Sequence, residues 1–167
     1  MQSTGYTIPC GHFKAGKPDI LTGINCFSHL MVVDWEANDV VHIYPRKGEV
    51  WALFKKGAVQ HDSEGVCDKK VSKPEGRPKP IATPKFRLVE VLANIDGASP
   101  VEIQVLGKVP GFRTIWGPFY AKGALPSNSM RLFSHRVPAY RLRGGENPKI
   151  PENCWDIDPA GLPPEDN

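Results

Sequence analysis

The stretch that decides the fold is IYPRKGEVWALF, residues 43–54. Its last six residues, EVWALF, alternate so that Val, Ala and Phe share one face of an extended strand and Glu, Trp and Leu share the other. Because both faces are largely apolar, this strand is predicted to be central and covered on both sides. Lys47-Gly48 is turn chemistry, and Pro45 ends the preceding extended run because proline lacks the donor that a sheet ladder needs.

Runs rich in β-branched and aromatic residues predict further extended segments, at residues 40–44, 86–92, 101–106, 112–116 and 137–142. A single helical turn is expected between residues 125 and 133, with Ser127 as its N-cap. About five short strands predict a mainly β fold with minor helix. We expect a small bent antiparallel barrel of the SH3, Tudor or PWWP type, with long irregular N- and C-terminal elaborations.

The chain is expected to form a single domain over residues 1–167, with its core at about 8–163, because 167 residues suffice to bury a hydrophobic core. Its 17 prolines and 16 glycines leave little room for long helices. A basic, proline-rich loop at 57–84 is expected to be mobile, since it has little apolar surface to fix it. The irregular tail 151–167 is expected to lie along the surface, anchored by its tryptophan and isoleucine.

The formal net charge of +3 is mild and does not by itself predict nucleic-acid binding. No secretory signal stands at the N-terminus, and no stretch approaches the ~20 apolar residues of a membrane helix. A soluble protein of a reducing compartment is therefore expected. Its four cysteines lack Cys-x-x-Cys spacing and are expected to be free thiols.

A series of motifs runs through the chain in the order IPCGHFK, FSH, IYPRKGEVWALFK, VEVL, KVPGF, FSHRVPAYRL and CWDIDPAGLP. Over residues 8–163 this series resembles a land-plant family, the domain of unknown function DUF3444, which commonly follows a J domain in DnaJ-type proteins. The resemblance implies a plant protein of chaperone, transcription or chromatin assemblies, in the nucleus or also in the cytoplasm. It implies no catalytic residues. The His-Pro-Asp signature of a J domain is not in this sequence, so no Hsp70 stimulation is expected.

The aromatic residues give the main functional hypothesis. GEVWALF resembles the first strand of Tudor and PWWP barrels, in which rim aromatics enclose a methylated lysine by cation–π attraction. The candidate partner-binding residues are Tyr44, Phe54, Trp116, Phe119 and Tyr120. The alternative for each is core packing. The hypothesis is a non-enzymatic protein-interaction module that binds a peptide such as a histone-type tail in a groove, with no cofactor and no small-molecule substrate.

Basic residues in the loop give an alternative hypothesis, a DNA-binding module that uses the segment 69–87. Lysine and arginine there would pair with phosphates and give a salt-dependent affinity that does not depend on base sequence. Few aromatics are interleaved for base stacking, so a solvated loop is the competing interpretation. The residues concerned are Lys69, Lys70, Lys73, Arg77 and Lys79.

A second basic cluster surrounds the second FSH copy, with arginines at positions 131, 136, 141 and 143. They are expected to pair within the chain with Asp156 and Asp158 rather than with a partner.

Two further patterns are weighed against structural roles. Cys10, His12, Cys26 and His29 have the chemistry of zinc ligands, but their spacing is tighter than in zinc fingers, so structural roles are favoured. Each FSH copy places a serine beside a histidine. Neighbouring residues on a strand point to opposite faces, and no nucleophile elbow is present, so catalysis is not expected. Each histidine is expected to anchor a turn while its phenylalanine fills the core.

Overall fold

The computed structural model describes residues 9–23, 29–55, 86–95, 99–118, 120–145 and 147–162. Their regular elements are β-strands and short 3-10 helices. No helix in this part of the chain has the length and apolar character needed to cross a membrane. The predicted loop at 57–84 falls almost wholly outside the described residues.

The strands are β1 (Gly11–Lys14), β2 (Asp34–Glu36), β3 (Val40–Ile43), β4 (Val50–Phe54), β5 (Phe86–Val91), β6 (Val101–Val105), β7 (Gly107–Lys108), β8 (Ile115–Gly117), β9 (Lys122–Leu125), β10 (Phe133–Val137), β11 (Ala139–Arg141) and β12 (Trp155–Ile157). They pair antiparallel throughout. The N-terminal sheet has the order β1-β3-β2, the central sheet β10-β4-β5-β6-β9 and the C-terminal sheet β11-β12-β8-β7. The prediction of a mainly β, antiparallel fold is confirmed, and each of these sheets is open at its edges.

Two chain segments pass directly from the central sheet into the C-terminal sheet. β6 leads into β7 through Leu106, whose N–H still donates to Leu88 at 3.0 Å. β10 leads into β11 through Pro138, which lacks an N–H but accepts a 2.9 Å hydrogen bond from Asp158. The chain therefore bends from one sheet to the other at these two residues without losing its pairing.

β4 is covered on both faces, as its alternation predicts. Trp51 and Leu53 belong to an outer apolar cluster that includes Phe133, while Val50 and Ala52 belong to an inner cluster between the central and C-terminal sheets. Burial of each large apolar side chain contributes roughly 1.5–3 kcal/mol, so both clusters hold β4 in place. In the turn before β4, Gly48 adopts a φ of +82°, a conformation that favours glycine.

The tail departs from its expected place on the surface. Trp155–Ile157 forms β12, which pairs with β11 on one side and β8 on the other. Trp155 and Ile157 are buried, as expected of anchors, while Asp156 between them is exposed. A three-residue strand among prolines gives too short a pattern to be recognised from sequence.

The helical turn and one strand also differ from expectation. The 3-10 helix spans Ser129–Leu132, and its N-cap is Asn128, which makes no side-chain capping bond. The prediction that Ser127 caps it is therefore wrong. The expected strand at 112–116 begins only at Ile115, because the chain turns at Pro110 and Gly111.

Glutamates, rather than the tail aspartates, pair with two of the four arginines. Arg141 Nη1 lies 2.8 Å from Glu90 Oε1, and Glu90 also accepts a 3.2 Å hydrogen bond from Trp155 Nε1. Arg136 Nε lies 3.1 Å from Glu49. The expectation of pairing with Asp156 and Asp158 is therefore wrong for these two arginines. Their partners are Glu90 on β5 and Glu49 directly before β4, which the folded chain brings next to them.

Candidate functional site

A groove of about 520 Å³ lies where β5 and β6 of the central sheet meet β7 and β8 of the C-terminal sheet. Its apolar floor and walls are formed by Phe86, Leu88, Leu106, Trp116 and Tyr120. We call it the aromatic–basic groove. Leu88 and Leu106 belong to the inner cluster, so the floor of the groove is the outer surface of the core.

Local structure fixes both large aromatics of this groove. Trp116 lies on β8 opposite Lys108 of β7. Its indole Nε1 is buried and has no acceptor among the described residues, so packing alone holds the ring. Tyr120 is held through its backbone, since its carbonyl accepts a hydrogen bond from the buried Gln104 side chain. The Tyr120 side chain itself remains 61% exposed.

The charged groups in the lining are all cationic. Lys55, Arg87 and Lys108 line the groove, and no aspartate or glutamate is among the described residues that do so. Lys55 directly follows β4, and Arg87 is the second residue of the neighbouring strand β5. Both residues are exposed. The groove therefore combines an apolar floor with a positively charged rim.

The structure brings together only part of the predicted aromatic set. Trp116 and Tyr120 both line the groove. Phe54 lies beside it, with its ring centroid 5.4 Å from that of Phe86. Tyr44 follows β3 in the N-terminal sheet, away from these residues, and Phe119 lies outside the described residues.

Tyr44 instead belongs to a histidine cluster on the polar face of the N-terminal sheet. Its hydroxyl lies 2.8 Å from Nε2 of His12, and the rings of His12 and His42 are 4.3 Å apart. His42 Nε2 lies 2.7 Å from Glu36 Oε2. This hydrogen-bonded set gives Tyr44 a local structural role.

A second groove, of about 610 Å³, lies beside β11 and β12. Its polar lining includes Tyr140, Asp156 and Asp158, and we call it the acidic groove. Tyr140 is 60% exposed and sits opposite Asp156 in the sheet register. The Asp158 carboxylate accepts a hydrogen bond from the Ala160 N–H at 2.9 Å, while the Asp156 carboxylate makes no hydrogen bond or ion pair with a described residue.

The second FSH copy has a geometry that the strand rule did not predict. Ser134 Oγ lies 3.0 Å from Nδ1 of His135, because the strand register shifts between Phe133 and His135. His135 Nε2 donates to the carbonyl of Gly161 at 3.1 Å, and Phe133 is fully buried. The expectation that the histidine anchors a turn while its phenylalanine fills the core is confirmed for this copy.

The four residues considered as zinc ligands make other contacts where they are described. Cys10 is buried and its thiol donates to the Met130 carbonyl at 3.3 Å, whereas His12 contacts Tyr44. His29 Nε2 lies 3.2 Å from the sulfur of Met31, and Cys26 is outside the described residues. Within the described part of the chain, no three His, Cys, Asp or Glu residues form a metal site.

Burial shapes the titration of three groups near the core. It raises the pKa of the Cys10 thiol to about 11, and it raises the pKa of the Cys154 thiol as well. It lowers the pKa of His29, and the positive charge of Arg136 lowers it further. Because a thiolate is the reactive form of cysteine, Cys10 and Cys154 are poor nucleophiles in the folded protein.

The proposed DNA contacts Lys69, Lys70, Lys73, Arg77 and Lys79 lie outside the described residues. They belong to the segment 56–85, which follows Lys55 and precedes Phe86 in the sequence. Both Lys55 and Phe86 line the aromatic–basic groove.

Sequence reasoning missed several residues of the groove. The sequence pattern places Phe86 on a strand but does not mark it as part of a site, and it does not distinguish Lys55 or Lys108 from other surface lysines. A local signal existed for Lys55, a cation directly after the β4 aromatic. None existed for Phe86 or Lys108, because their positions depend on the pairing of β5 with β4 and of β7 with β8.

The family model for a domain of unknown function (DUF3444) matches residues 1–146. The match covers most of the chain, which therefore belongs to this family. No curated protein and no solved structure shows significant similarity to the chain. The aromatic–basic groove lies within the matched residues, whereas Asp156 and Asp158 of the acidic groove lie beyond them.

Proposed function

We propose that this DUF3444 protein is a non-enzymatic protein-interaction module that holds a segment of a partner protein in the aromatic–basic groove. The observation that carries the proposal is the exposed ring of Tyr120 in a groove that the partly buried aromatics Phe86 and Trp116 also line. Tyrosine and tryptophan are enriched among the residues that dominate binding energy at protein interfaces. A concave surface with these residues and few polar groups is the usual form of a binding site.

The size of the groove fits this role. Its volume of about 520 Å³ accommodates a few side chains rather than a folded domain. The floor residues Leu88 and Leu106 belong to the inner cluster, so binding would require no rearrangement of the core. A partner that removes the partly exposed rings of Phe86, Trp116 and Tyr120 from water would gain binding free energy.

The finer fold that we propose is a barrel of the SH3 or Tudor type. Support comes from the strands that change sheets: β6 continues as β7, and β10 continues as β11. Pairing then runs from β4 through β5 and β6 in the central sheet, and from β7 through β8 and β12 to β11 in the C-terminal sheet. Because β10 pairs with β4, this path returns to its start around the inner cluster.

The proposed setting is a plant DnaJ-type or transcription-associated protein that acts in the nucleus, with a chromatin or chaperone complex as the partner. Its support is the motif resemblance, together with the family match over residues 1–146.

Two tyrosines provide a matched test of the proposal. Tyr120 and Tyr140 have nearly equal exposure, 61% and 60%, but line different grooves. Affinity purification from nuclear extract, followed by quantitative mass spectrometry, should show partners lost by Tyr120→Ala and retained by Tyr140→Ala. Tyr120→Ala should keep the fold, because the tyrosine's fixed contact is its backbone carbonyl. Partners retained by a folded Tyr120→Ala protein would contradict the proposal.

A further inference from the structure

We infer that the segment held in the aromatic–basic groove is acidic and carries at least one large apolar side chain. This inference rests on the proposed function and specifies the chemistry of the partner. It follows from two properties that the groove combines, the sign of its charges and the nature of its floor.

The charges select an acidic partner. Lys55, Arg87 and Lys108 are exposed in the lining, and no aspartate or glutamate is among the described residues that line it. Complementary charge accelerates association and suppresses partners of the wrong sign. A segment rich in lysine or arginine, such as a histone-type tail, would meet repulsion here. Aspartate and glutamate side chains would meet the exposed cations Lys55 and Arg87.

The floor selects an apolar side chain as well. Phe86 and Trp116 are only partly buried and present carbon surface in the groove, and Tyr120 offers an exposed ring in the same lining. A purely acidic segment would leave this surface wet and gain little from it, because exposed ion pairs alone contribute weakly. A leucine or aromatic side chain of the partner would remove both surfaces from water. The acidic residues would then flank this anchor and face the rim.

The two grooves of the molecule make the choice specific. The acidic groove has an exposed tyrosine of similar accessibility, but its charged lining is Asp156 and Asp158. Basic segments are therefore expected to prefer that groove and acidic segments the aromatic–basic one. Charge, rather than the exposed aromatic, distinguishes the two surfaces.

The test is a selection from a random peptide display library on the 167-residue chain, with a parallel selection on Tyr120→Ala. Peptides that require Tyr120 should be enriched in aspartate and glutamate around an aromatic or leucine residue. Enriched peptides that require Tyr120 but are neutral or basic would overturn this inference and leave the proposed function intact. Enrichment that is equal on Tyr120→Ala, or absent on both, would overturn the proposed function itself.

A charge-reversal pair then measures the contribution of the rim. The double variant Lys55→Glu with Arg87→Glu should weaken the affinity for a selected peptide at least tenfold, as followed by fluorescence anisotropy. The matched control is Lys14→Glu with Lys149→Glu, which changes the net charge equally at exposed positions outside the groove and should change the affinity less than twofold. Equal losses in the two double variants would show a non-specific charge effect and contradict the inference.

Nucleic acid is the remaining polyanion to distinguish. Duplex DNA added as a competitor at low salt should leave the bound peptide in place, because the groove floor is built for an apolar side chain. Displacement of the peptide by DNA, but not by an equal concentration of inorganic phosphate, would assign the groove to nucleic acid and overturn the inference.

Discussion

The aromatic–basic groove and the acidic groove are similar in volume, about 520 and 610 Å³, and each has one tyrosine exposed to about the same extent. They differ in charge, since described cations line the first and described aspartates line the second. An exposed tyrosine therefore does not distinguish one groove from the other. If the grooves bind partners as proposed, the sign of the surrounding charges would distinguish the partners of the two grooves.

The grooves also differ in their position along the chain. The residues of the aromatic–basic groove lie between positions 55 and 121, inside the family match, whereas the acidic groove depends on β12 beyond it. Nevertheless, β12 pairs both with β8, which carries Trp116, and with β11, which carries Tyr140. The structural unit therefore extends past residue 146, and both grooves depend on the same buried strand.

The largest effect is expected from removing this shared strand. A variant that ends at residue 146 would lose Trp155, Ile157 and Leu162 from the inner cluster and leave β8 and β11 without their common neighbour. Each of these side chains contributes roughly 1.5–3 kcal/mol, and a typical domain is stable by only about 5–15 kcal/mol. Cooperative urea unfolding should disappear in this variant.

A variant that ends at residue 162 is the control and should unfold cooperatively. If the shorter variant also showed a sharp transition and bound a groove ligand, the aromatic–basic groove would be independent of β12. The two grooves would then be separate features of the molecule rather than two sides of one unit.

A smaller effect is expected at Glu90, which joins the sheets that carry the grooves. Glu90→Ala would leave the indole N–H of buried Trp155 without its acceptor and Arg141 without its ion pair. We expect a loss of about 2–3 kcal/mol in the free energy of unfolding, measured by urea titration. Glu90→Gln keeps an acceptor for Trp155 and should lose less. Equal losses in the two variants would contradict this role of the hydrogen bond.

A substitution at Gly161 is expected to displace the 3-10 turn Pro159–Gly161, whose first residue lines the acidic groove. A Cβ at this position would lie 2.8 Å from Cγ1 of Val137, whereas a Cβ at Gly123 would lie 3.8 Å from its nearest neighbour in Ile103. Gly161→Ala should therefore cost about 1–2 kcal/mol of stability, and Gly123→Ala much less. The measurement is the urea midpoint of both variants. The aromatic–basic groove should bind its ligand unchanged in Gly161→Ala, since the displaced turn lies at the other groove.

A pH dependence is expected from the buried Cys10 thiol, which belongs to the outer cluster. The folded state raises the pKa of Cys10 to about 11, above its ordinary value of 9.0. Protonated Cys10 therefore contributes stability that is fully present below pH 9 and is lost as the pH rises toward 11. The urea midpoint should fall between pH 9.0 and about 11 in the wild type and fall less in Cys10→Ala. An identical decrease in both proteins would assign the dependence to other groups.

Features set by neighbouring residues were predictable from the sequence. The two faces of β4 follow from the alternation of its residues. Trp51 and Leu53 lie in the outer cluster, and Val50 and Ala52 lie in the inner cluster, as that alternation predicts. The strands β3, β5 and β6 follow in the same way from short β-branched runs.

Features set by long-range pairing were not predictable. Phe54 pairs with Phe86 across a connection of about 30 residues, so no local sequence pattern predicts that contact. β12 is three residues long and sits among prolines, and the contact of Ser134 with His135 needs a register shift that the strand period does not contain. The candidate site could therefore be predicted as two aromatics, Trp116 and Tyr120, but not as a groove with a charged rim.

The most direct test of the account is the dissociation constant of a selected acidic peptide, measured by isothermal titration calorimetry with wild type, Tyr120→Ala and Tyr140→Ala. We expect Tyr120→Ala to weaken binding at least about tenfold, which is the effect of removing an aromatic residue worth about 1.4 kcal/mol at an interface. Tyr140→Ala should bind as the wild type does. Equal affinities for all three proteins, or a loss confined to Tyr140→Ala, would contradict the assignment of the aromatic–basic groove as the docking site.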